Sequence, residues 1–441
     1  MRGKYRYLIM ILLMIITIIN FVDRGAISYS QSFIIKEYGL NPVKWGEILG
    51  YFGYGYMFGA LLGGALSDKK GPKFVWLTAV IAWSIFEIGI IYAGNIGMAL
   101  FGGSALAGFA VFRILFGFAE GPAFSTLNRT VANWAAPKEK AFLFSIGSVG
   151  VPIGAIIAAP VSVGLISLAG WRMAFVILGA LGIIWAMMWA KIFTNRPENH
   201  PRVSQEELQK IKSSDDLKPS SGVNDGANKP YVPWYHFFKS RTMILISIGY
   251  FTFQYINFLI LTWPPKYLQD VFHFKLQSLW YLGMIPWIGA CFTLPLGSKI
   301  SDILLQKTGS LRIARSGVTV VSLILTAVCF VLIPTVSSPW AVLTLMAVGN
   351  ALAFLPSSLF WIIILDTETV KAGTYTGLMH FFSNIAAIVA PTLTGVLVMD
   401  YGYSAMFIAA SIVTLIGALV MFFVKPGHSV NNSQVLKKAD L

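Results

Sequence analysis

Apolar stretches of about twenty residues, parted by short polar segments, recur along almost the whole chain. No other feature constrains its fold as strongly. A bilayer's hydrocarbon core needs about 20 mostly apolar residues for each helical crossing. By that measure about twelve crossings are expected, near 7–30, 45–66, 74–94, 98–124, 141–166, 172–193, 243–266, 278–303, 315–334, 339–364, 373–398 and 403–424. Composition agrees. Of 441 residues, 56% are hydrophobic and 12% are charged, against about 25% charged in a soluble globular protein. A water-soluble interior does not grow fast enough with chain length to hide so much apolar surface. The first apolar run outlasts a signal peptide's core and has no small-residue cleavage site before Asp23, so it reads as the first span. The expected fold class is an all-α membrane protein.

One segment breaks the pattern. Residues 194–240 are polar and lysine-rich, with Asn195-Arg196-Pro197-Glu198-Asn199, Ser213-Ser214-Asp215-Asp216 and Ser220-Ser221-Gly222. This linker divides the chain into an N-terminal half (1–193) and a C-terminal half (241–425) of six spans each, followed by a tail (426–441). The halves echo each other. Gly64-Ala65-Leu66-Ser67-Asp68-Lys69-Lys70-Gly71-Pro72-Lys73 follows the second span; Gly297-Ser298-Lys299-Ile300-Ser301-Asp302, then Lys307, Gly309, Arg312 and Arg315, follow the eighth. A small residue, an Asp and a basic cluster at the same point of each half indicate an internal duplication.

The formal net charge of +14 would suggest nucleic acid in a soluble protein. Here the basic residues lie between apolar runs, as topology signals do. With the N-terminus inside, about 26 of the 33 Lys and Arg fall on one side, and only Lys36, Lys44, Arg172, Lys266 and Lys275 on the other. Both termini and the linker are therefore expected in the cytoplasm, with the chain multi-pass in the cell (inner or plasma) membrane. Cys291 and Cys329 lie in apolar stretches and read as buried thiols rather than a disulfide framework. No metal-ligand cluster, phosphate loop or nucleophile motif stands in a polar context, so no cofactor, metal or catalytic residue is expected, and the chain does not read as an enzyme.

The Gly64–Lys73 segment resembles the conserved loop of the major facilitator superfamily, G-x-x-x-D-[RK]-x-G-[RK]-[RK], departing from it at Pro72. More narrowly the chain is similar to the anion:cation symporter branch, which includes bacterial galactonate, glucarate and hexuronate permeases. The similarity rests on Phe21-Val22-Asp23-Arg24, on Arg113 through Glu120-Gly121-Pro122-Ala123-Phe124, and on Asn128-Arg129. It extends to Trp134 with Pro137-Lys138-Glu139-Lys140, and to Thr262-Trp263-Pro264 with Tyr267. The resemblance implies two six-helix bundles of the major facilitator fold and a secondary transporter. It also implies a conformational latch at Gly64, Asp68, Lys69 and Gly71, and at Asp302 in the second half. A plain topology signal accounts for those residues almost as well.

Ionisable groups at bilayer depth are costly unless they meet a cavity or a partner. Asp23 and Arg24 in span one, and Arg113 and Glu120 in span four, stand out. Seven residues make nearly two helical turns, so Arg113 and Glu120 share a face but lie about 10 Å apart along it. Each is expected to look across to span one. Asp23 and Glu120 suit proton binding and release, and the resemblance implies coupling protons at both positions. Arg24 and Arg113 cannot practically deprotonate and suit fixed charges, one meeting a substrate carboxylate and the other holding an acidic partner. The competing reading is two static ion pairs fastening span one to span four. Glu47 and Glu87 read as structural, and Asp366 and Glu368 as solvated.

Sites in such a fold lie near the bilayer midplane. Tyr56 matches a tyrosine that binds substrate in the sugar-acid permeases; a core aromatic is the alternative. Gln254, Tyr255 and Asn257 in span seven, and Ser357, Ser358 and Trp361 in span ten, add polar groups. Three positions depart from the permeases: Phe21 replaces Tyr, Val151 replaces Gln, and His380 replaces Asn. Fewer hydroxyl-binding groups favour a less hydroxylated anion. His380 either reads the anion, titrates, or is a buried His bonded to a carbonyl. The expected partners are a small organic anion, protons and membrane lipid, with no nucleic acid, and the chain is taken as a monomer. Proton-coupled uptake by alternating access is the leading expectation. An exporter or uniporter, or a membrane sensor that does not transport, are the alternatives.

Overall fold

The computed structural model describes residues 5–135, 140–212, 234–367 and 372–427. Among these residues there are helices and turns and no strand. The helices are α1 (Tyr5–Tyr38), α2 (Pro42–Lys70), α3 (Pro72–Leu100), α4 (Ala105–Glu120), α5 (Ala123–Trp134), α6 (Lys140–Ser148), α7 (Gly150–Ile192) and α8 (Gln205–Lys212). They continue as α9 (Arg241–Thr262), α10 (Pro264–Phe272), α11 (Leu279–Leu282), α12 (Ile285–Thr308), α13 (Val318–Leu332) and α14 (Pro339–Phe354). The last are α15 (Ser357–Thr367), α16 (Ala372–Ser383), α17 (Ala386–Tyr401) and α18 (Tyr403–Phe422).

Ten stretches of the described residues are long and apolar enough to cross a membrane. One of them, Ile146–Ile192, holds two crossings. Its helix α7 breaks at Gly170, where φ is 79° and ψ is 163°. A side chain would strain that backbone, and glycine accepts it freely. The 29-residue α2 supplies the remaining crossing, its apolar character diluted by glycines and tyrosines. The expected twelve are thereby found. One boundary moves: α3 runs on to Leu100, and the turn to α4 falls at Phe101–Ser104, where the Ser104 side chain caps α4 by accepting from Ala107 N.

The described residues form two compact units, Met1–Ile27 with Gly55–Tyr231, and Ser28–Tyr54 with Val232–Leu441. The last third of α1 and the first half of α2 thus group with the C-terminal helices. In the first unit α3 packs along α4 and α7. Trp185 and Trp189 stack at 4.9 Å, Trp189 and Phe193 at 4.0 Å, and Trp185 Nε1 donates to Leu12 O at 2.8 Å. In the second unit α9 packs against α16, α17 and α18, and α13 lies between α14 and α18. Helices in lipid have little hydrophobic drive to associate and rely on close backbone approach. α2 uses it in both units. A Cβ at Gly59 would lie 2.2 Å from Phe118 O in the first, and a Cβ at Gly46 2.5 Å from Pro391 O in the second.

The start of the linker is not a free loop. After α7 the chain folds back as a strap over the first unit. Trp134 Nε1 donates to Thr194 O at 3.0 Å and Asn133 Nδ2 to Asn195 O at 2.9 Å. His200 lies 4.2 Å from the Tyr5 ring. Glu207, on α8, accepts from the backbone N–H groups of Tyr5 and Arg6 and from Arg6 Nη1, each at 3.1 Å. A carboxylate at the first turn of α1 meets both its unpaired donors and its dipole. The linker's Ser213–Gly222 segment, Pro137, Lys138 and Glu139, and Glu368 lie outside the described residues.

Candidate functional site

The charged residues singled out in spans one and four meet in the first unit. Arg24 Nε donates to Glu120 Oε2 at 2.6 Å, with the two side chains 5% and 0% exposed. The Arg24 guanidinium also lies 4.4 Å from the Tyr56 ring and 5.0 Å from the Phe21 ring. Asp23 is equally buried, yet neither of its carboxylate oxygens has a hydrogen-bond partner among the described residues. Tyr56 is thus brought to the cluster through Arg24. Phe21 packs against the span-five helix at Gly154, where an added Cβ would lie 2.8 Å from its side chain. Val151 lies one turn before Gly154, in the first turn of α7.

Arg113 connects a third helix to this group. Arg113 is buried on α4, within electrostatic reach of Glu87 of α3 as well as of Glu120. Glu87 in turn lies within electrostatic reach of Asp23 and Glu120. Sequence reading set Glu87 aside as structural; its signal was a lone carboxylate in the middle of an apolar span. The cluster therefore holds three carboxylates (Asp23, Glu87 and Glu120) and two guanidiniums (Arg24 and Arg113), drawn from α1, α3 and α4. Such a site can bind and release protons, and it can exchange one ionic partner for another.

The second unit carries a polar group of its own. Asn384, just past α16, donates from Nδ2 to His380 Nδ1 and to His380 O, both at 2.8 Å. Gln254 Nε2 donates to Asn384 Oδ1 at 3.3 Å. With the amide so oriented, His380 Nδ1 is the acceptor, and the neutral ring carries its proton on Nε2. Trp361 lies 5.5 Å and Tyr250 6.2 Å from the imidazole, and these two rings meet each other at 5.8 Å. Gln254, Trp361 and His380 are thus brought together. Asn257 is not tied to them by a hydrogen bond: its Oδ1 is buried without a partner among the described residues. Asn384 and Tyr250 were missed, and the sequence signal was an amide and a phenol inside apolar spans.

The latch residues divide likewise. In the second half Arg315 gathers the end of α12 and the end of α15. It donates to Asp302 Oδ1 at 2.9 Å, to Ser301 Oγ at 2.6 Å and to Asp366 Oδ2 at 3.2 Å. Asp366, read as merely solvated, is a partner of this arginine. In the first half Ser67 and Thr126 share a hydrogen bond of 2.9 Å. Gly71 has φ 83°, and an added Cβ would lie 2.6 Å from the Asn195 side chain, so glycine is required there on both counts. Gly64 lies beside Ser125, Lys69 is exposed, and the side chain of Asp68 lies outside the described residues.

The profile of the Major Facilitator Superfamily matches residues 13–391 and 310–439. The hexuronate transporter of Bacillus subtilis (strain 168) is 30% identical over 432 residues, covering 97% of this chain and 96% of that protein. The probable galactarate/D-glucarate transporter GudP of Escherichia coli (strain K12) is 30% identical over 448 residues, covering 96% of each. The probable sulfoacetate transporter SauU of Cupriavidus necator is 29% identical over 432 residues, covering 98% of this chain and 96% of that protein. In fold, the chain is similar to the inward-facing, unoccupied crystal structure of a bacterial homolog of the human lysosomal transporter Spinster. The TM-score is 0.74 and the identity 16%, over 96% of this chain and 98% of that one.

Proposed function

We propose, on the premise that the chain belongs to the Major Facilitator Superfamily, that it imports a small organic anion together with protons. A member of this family is a multi-pass membrane transporter, not an enzyme. The observation that carries proton coupling is Asp23, a buried carboxylate with no hydrogen-bond partner among the described residues, next to the buried Arg24–Glu120 pair. With Glu87 and Arg113 included, three carboxylates face two guanidiniums, and one proton brings the group to neutrality. An uncompensated charge in a low-dielectric interior is expensive. A group that reaches neutrality by taking up a proton, or by turning an arginine toward an anion, couples the two ligands through one charge balance.

The relatives' substrates, by name hexuronate, galactarate/D-glucarate and sulfoacetate, support an organic acid anion. Phe21 and Val151 in place of hydroxyl-binding groups favour an anion with fewer hydroxyls than a sugar acid. His380, Asn384, Gln254 and Trp361 supply its polar and aromatic contacts in the C-terminal half. The remaining organisation is proposed with it. The protein lies in the plasma membrane as a monomer with both termini in the cytoplasm, in halves 1–193 and 241–425. The Gly64–Lys73 segment and Asp302 latch one state of the alternating cycle.

The experiment is uptake into proteoliposomes under an imposed proton gradient, with organic acids as candidate substrates. Accumulation is expected to follow the gradient and to alkalinise the side from which substrate enters. Asp23→Asn and Glu120→Gln should abolish accumulation while sparing substrate exchange. Accumulation that ignores the proton gradient would show a uniporter or an exporter running in reverse, and would refute coupling.

A further inference from the structure

Asn20 is an amide in an apolar span, three residues before Asp23 and four before Arg24. Residues at that spacing share a helix face, and Thr17, three residues earlier still, continues the row on α1. The amide is 1% exposed, and among the described residues neither its Oδ1 nor its Nδ2 has a hydrogen-bond partner. A buried amide left so is costly, and such groups in folded proteins are satisfied by protein atoms or by ordered water. Asn20 lies beside the Glu120 carboxylate. Glu120 Oε2 is taken by Arg24, and Oε1 is buried with no partner among the described residues.

Asn20 lines a small cavity of about 10 Å³, together with Thr17 of α1, Trp76 of α3 and Leu127 of α5. One water molecule needs about 10–15 Å³ and two to four polar partners. Trp76 is already engaged, since its Nε1 donates to Thr130 Oγ1 at 3.3 Å. Thr17 Oγ1 donates to Leu13 O at 2.8 Å, which leaves its lone pairs to accept. The Asn20 amide supplies an acceptor and two donors. The polar partners for a water here are therefore Thr17 and Asn20, with Glu120 beside them. The cavity lies to one side of the carboxylates. Asn20 and Thr17 stand about 5 and 9 Å of helical rise before Asp23, toward the end of the bundle where α1 begins.

We propose that this cavity holds a water molecule, bound by Asn20 and Thr17, that relays protons between the buried carboxylates and solvent at the end of the bundle where α1 begins. The relay rests on the proton-coupled reading above. Its balance involves O–H bonds alone. The water hands one of its protons to a carboxylate of the cluster and takes one from a hydronium ion of the solvent; unloading runs the same two transfers in reverse. Asn20 is a positioning residue. Its amide holds the water and does not itself carry the transferred proton.

The test needs no transported substrate, because its probe is D2O. The purified full-length chain is moved from H2O into D2O, and infrared spectroscopy follows deuteration of the buried carboxyl group, whose band is identified by its loss in Asp23→Asn or Glu120→Gln. Asn20→Leu fills the cavity and bonds no water, and should slow this exchange at least tenfold. Asn20→Ala adds no volume, which guards against misfolding, and should slow it at least threefold. Asn20→Ser keeps room and a hydroxyl for the water and should stay within twofold of the parent. Loosened packing opens buried groups to solvent and speeds exchange, so slower exchange separates a relay from structural damage. Exchange as fast in the Leu and Ala variants as in the parent, or as slow in the Ser variant as in the Leu variant, overturns the relay alone. A parent with no such band, or with one that neither carboxylate variant removes, refutes the proton-coupled reading and the relay with it.

Discussion

Removing the Arg24–Glu120 pair in two different ways separates a fastening between helices from a working charge. The pair is 2.6 Å long with both side chains essentially out of solvent. Glu120→Leu alone leaves the guanidinium buried without its carboxylate, and breaking a buried pair from one side costs about 3–5 kcal/mol. Replacing both partners, as Arg24→Met/Glu120→Leu, removes the desolvation cost along with the attraction. Such exchanges are neutral or stabilising by about 1–4 kcal/mol. Arg24 also sits over the Tyr56 and Phe21 rings, and losing contacts of that kind costs about 0.5–2 kcal/mol each. The double variant is therefore expected within about 2 kcal/mol of the parent, and well above the single variant. Its transport should nonetheless be abolished. Thermal unfolding of the purified variants gives the first quantity and proteoliposome uptake the second. A double variant that is as unstable as Glu120→Leu, or one that still accumulates substrate, would refute the reasoning and leave a static fastening.

Three further outcomes follow from the same geometry. Asp23→Asn removes no hydrogen bond among the described residues, where neither carboxylate oxygen has a partner, so thermal unfolding should place it within about 1 kcal/mol of the parent while gradient-driven uptake is lost. Glu207→Ala strips three hydrogen bonds from the start of α1, one of them a charged bond to the buried Arg6 side chain; a loss of about 3–5 kcal/mol is expected, together with faster proteolysis of the strap. His200 lies outside the spans, and burial lowers its pKa below 6.5, helped by Arg202 and Lys73 and opposed by its hydrogen bond to Ile192 O. The folded state thus favours neutral imidazole: the contribution is full above pH 6.5 and is lost as pH falls below that value. The parent should lose more melting temperature than His200→Gln between pH 7.5 and about 5.5, roughly one unit below the unfolded pKa; equal losses would exclude His200 as the cause.

The crossings were legible because lipid imposes one length on every helix. What hydropathy could not show was where a polar segment ceases to be a loop. The strap from Thr194 to Lys212 reads as linker by composition. Its anchoring depends on partners far away in the chain, from 60 residues for Trp134 with Thr194 to 201 for Arg6 with Glu207. The turn at Phe101–Ser104 was missed for a related reason: its two glycines and one serine are flanked by apolar residues on both sides, so the apolar run seems continuous. Breaks at Gly170 and Gly402, each followed by an aromatic residue opening the next helix, were placed correctly because the spans on either side already had full length.

For the site, type was legible and pairing was not. An ionisable residue in an apolar span announces itself, which is how Asp23, Arg24, Arg113 and Glu120 were found. Spacing along a helix then says which residues share a face, but not which other helix that face meets. Arg113 and Glu120 share one, yet Glu120 pairs with Arg24 of α1 while Arg113 also lies within electrostatic reach of Glu87 of α3. The same limit hid Arg315, which sequence reading counted only as part of a basic cluster and which in fact binds Ser301, Asp302 and Asp366 at once. A buried or half-buried charge is stable only if the fold delivers its counter-charge, so each lone ion in an apolar span implies a second one elsewhere. Counting Glu87 among the candidates, as a lone carboxylate in an apolar span, would have completed the cluster from sequence: it is the third carboxylate beside Asp23 and Glu120.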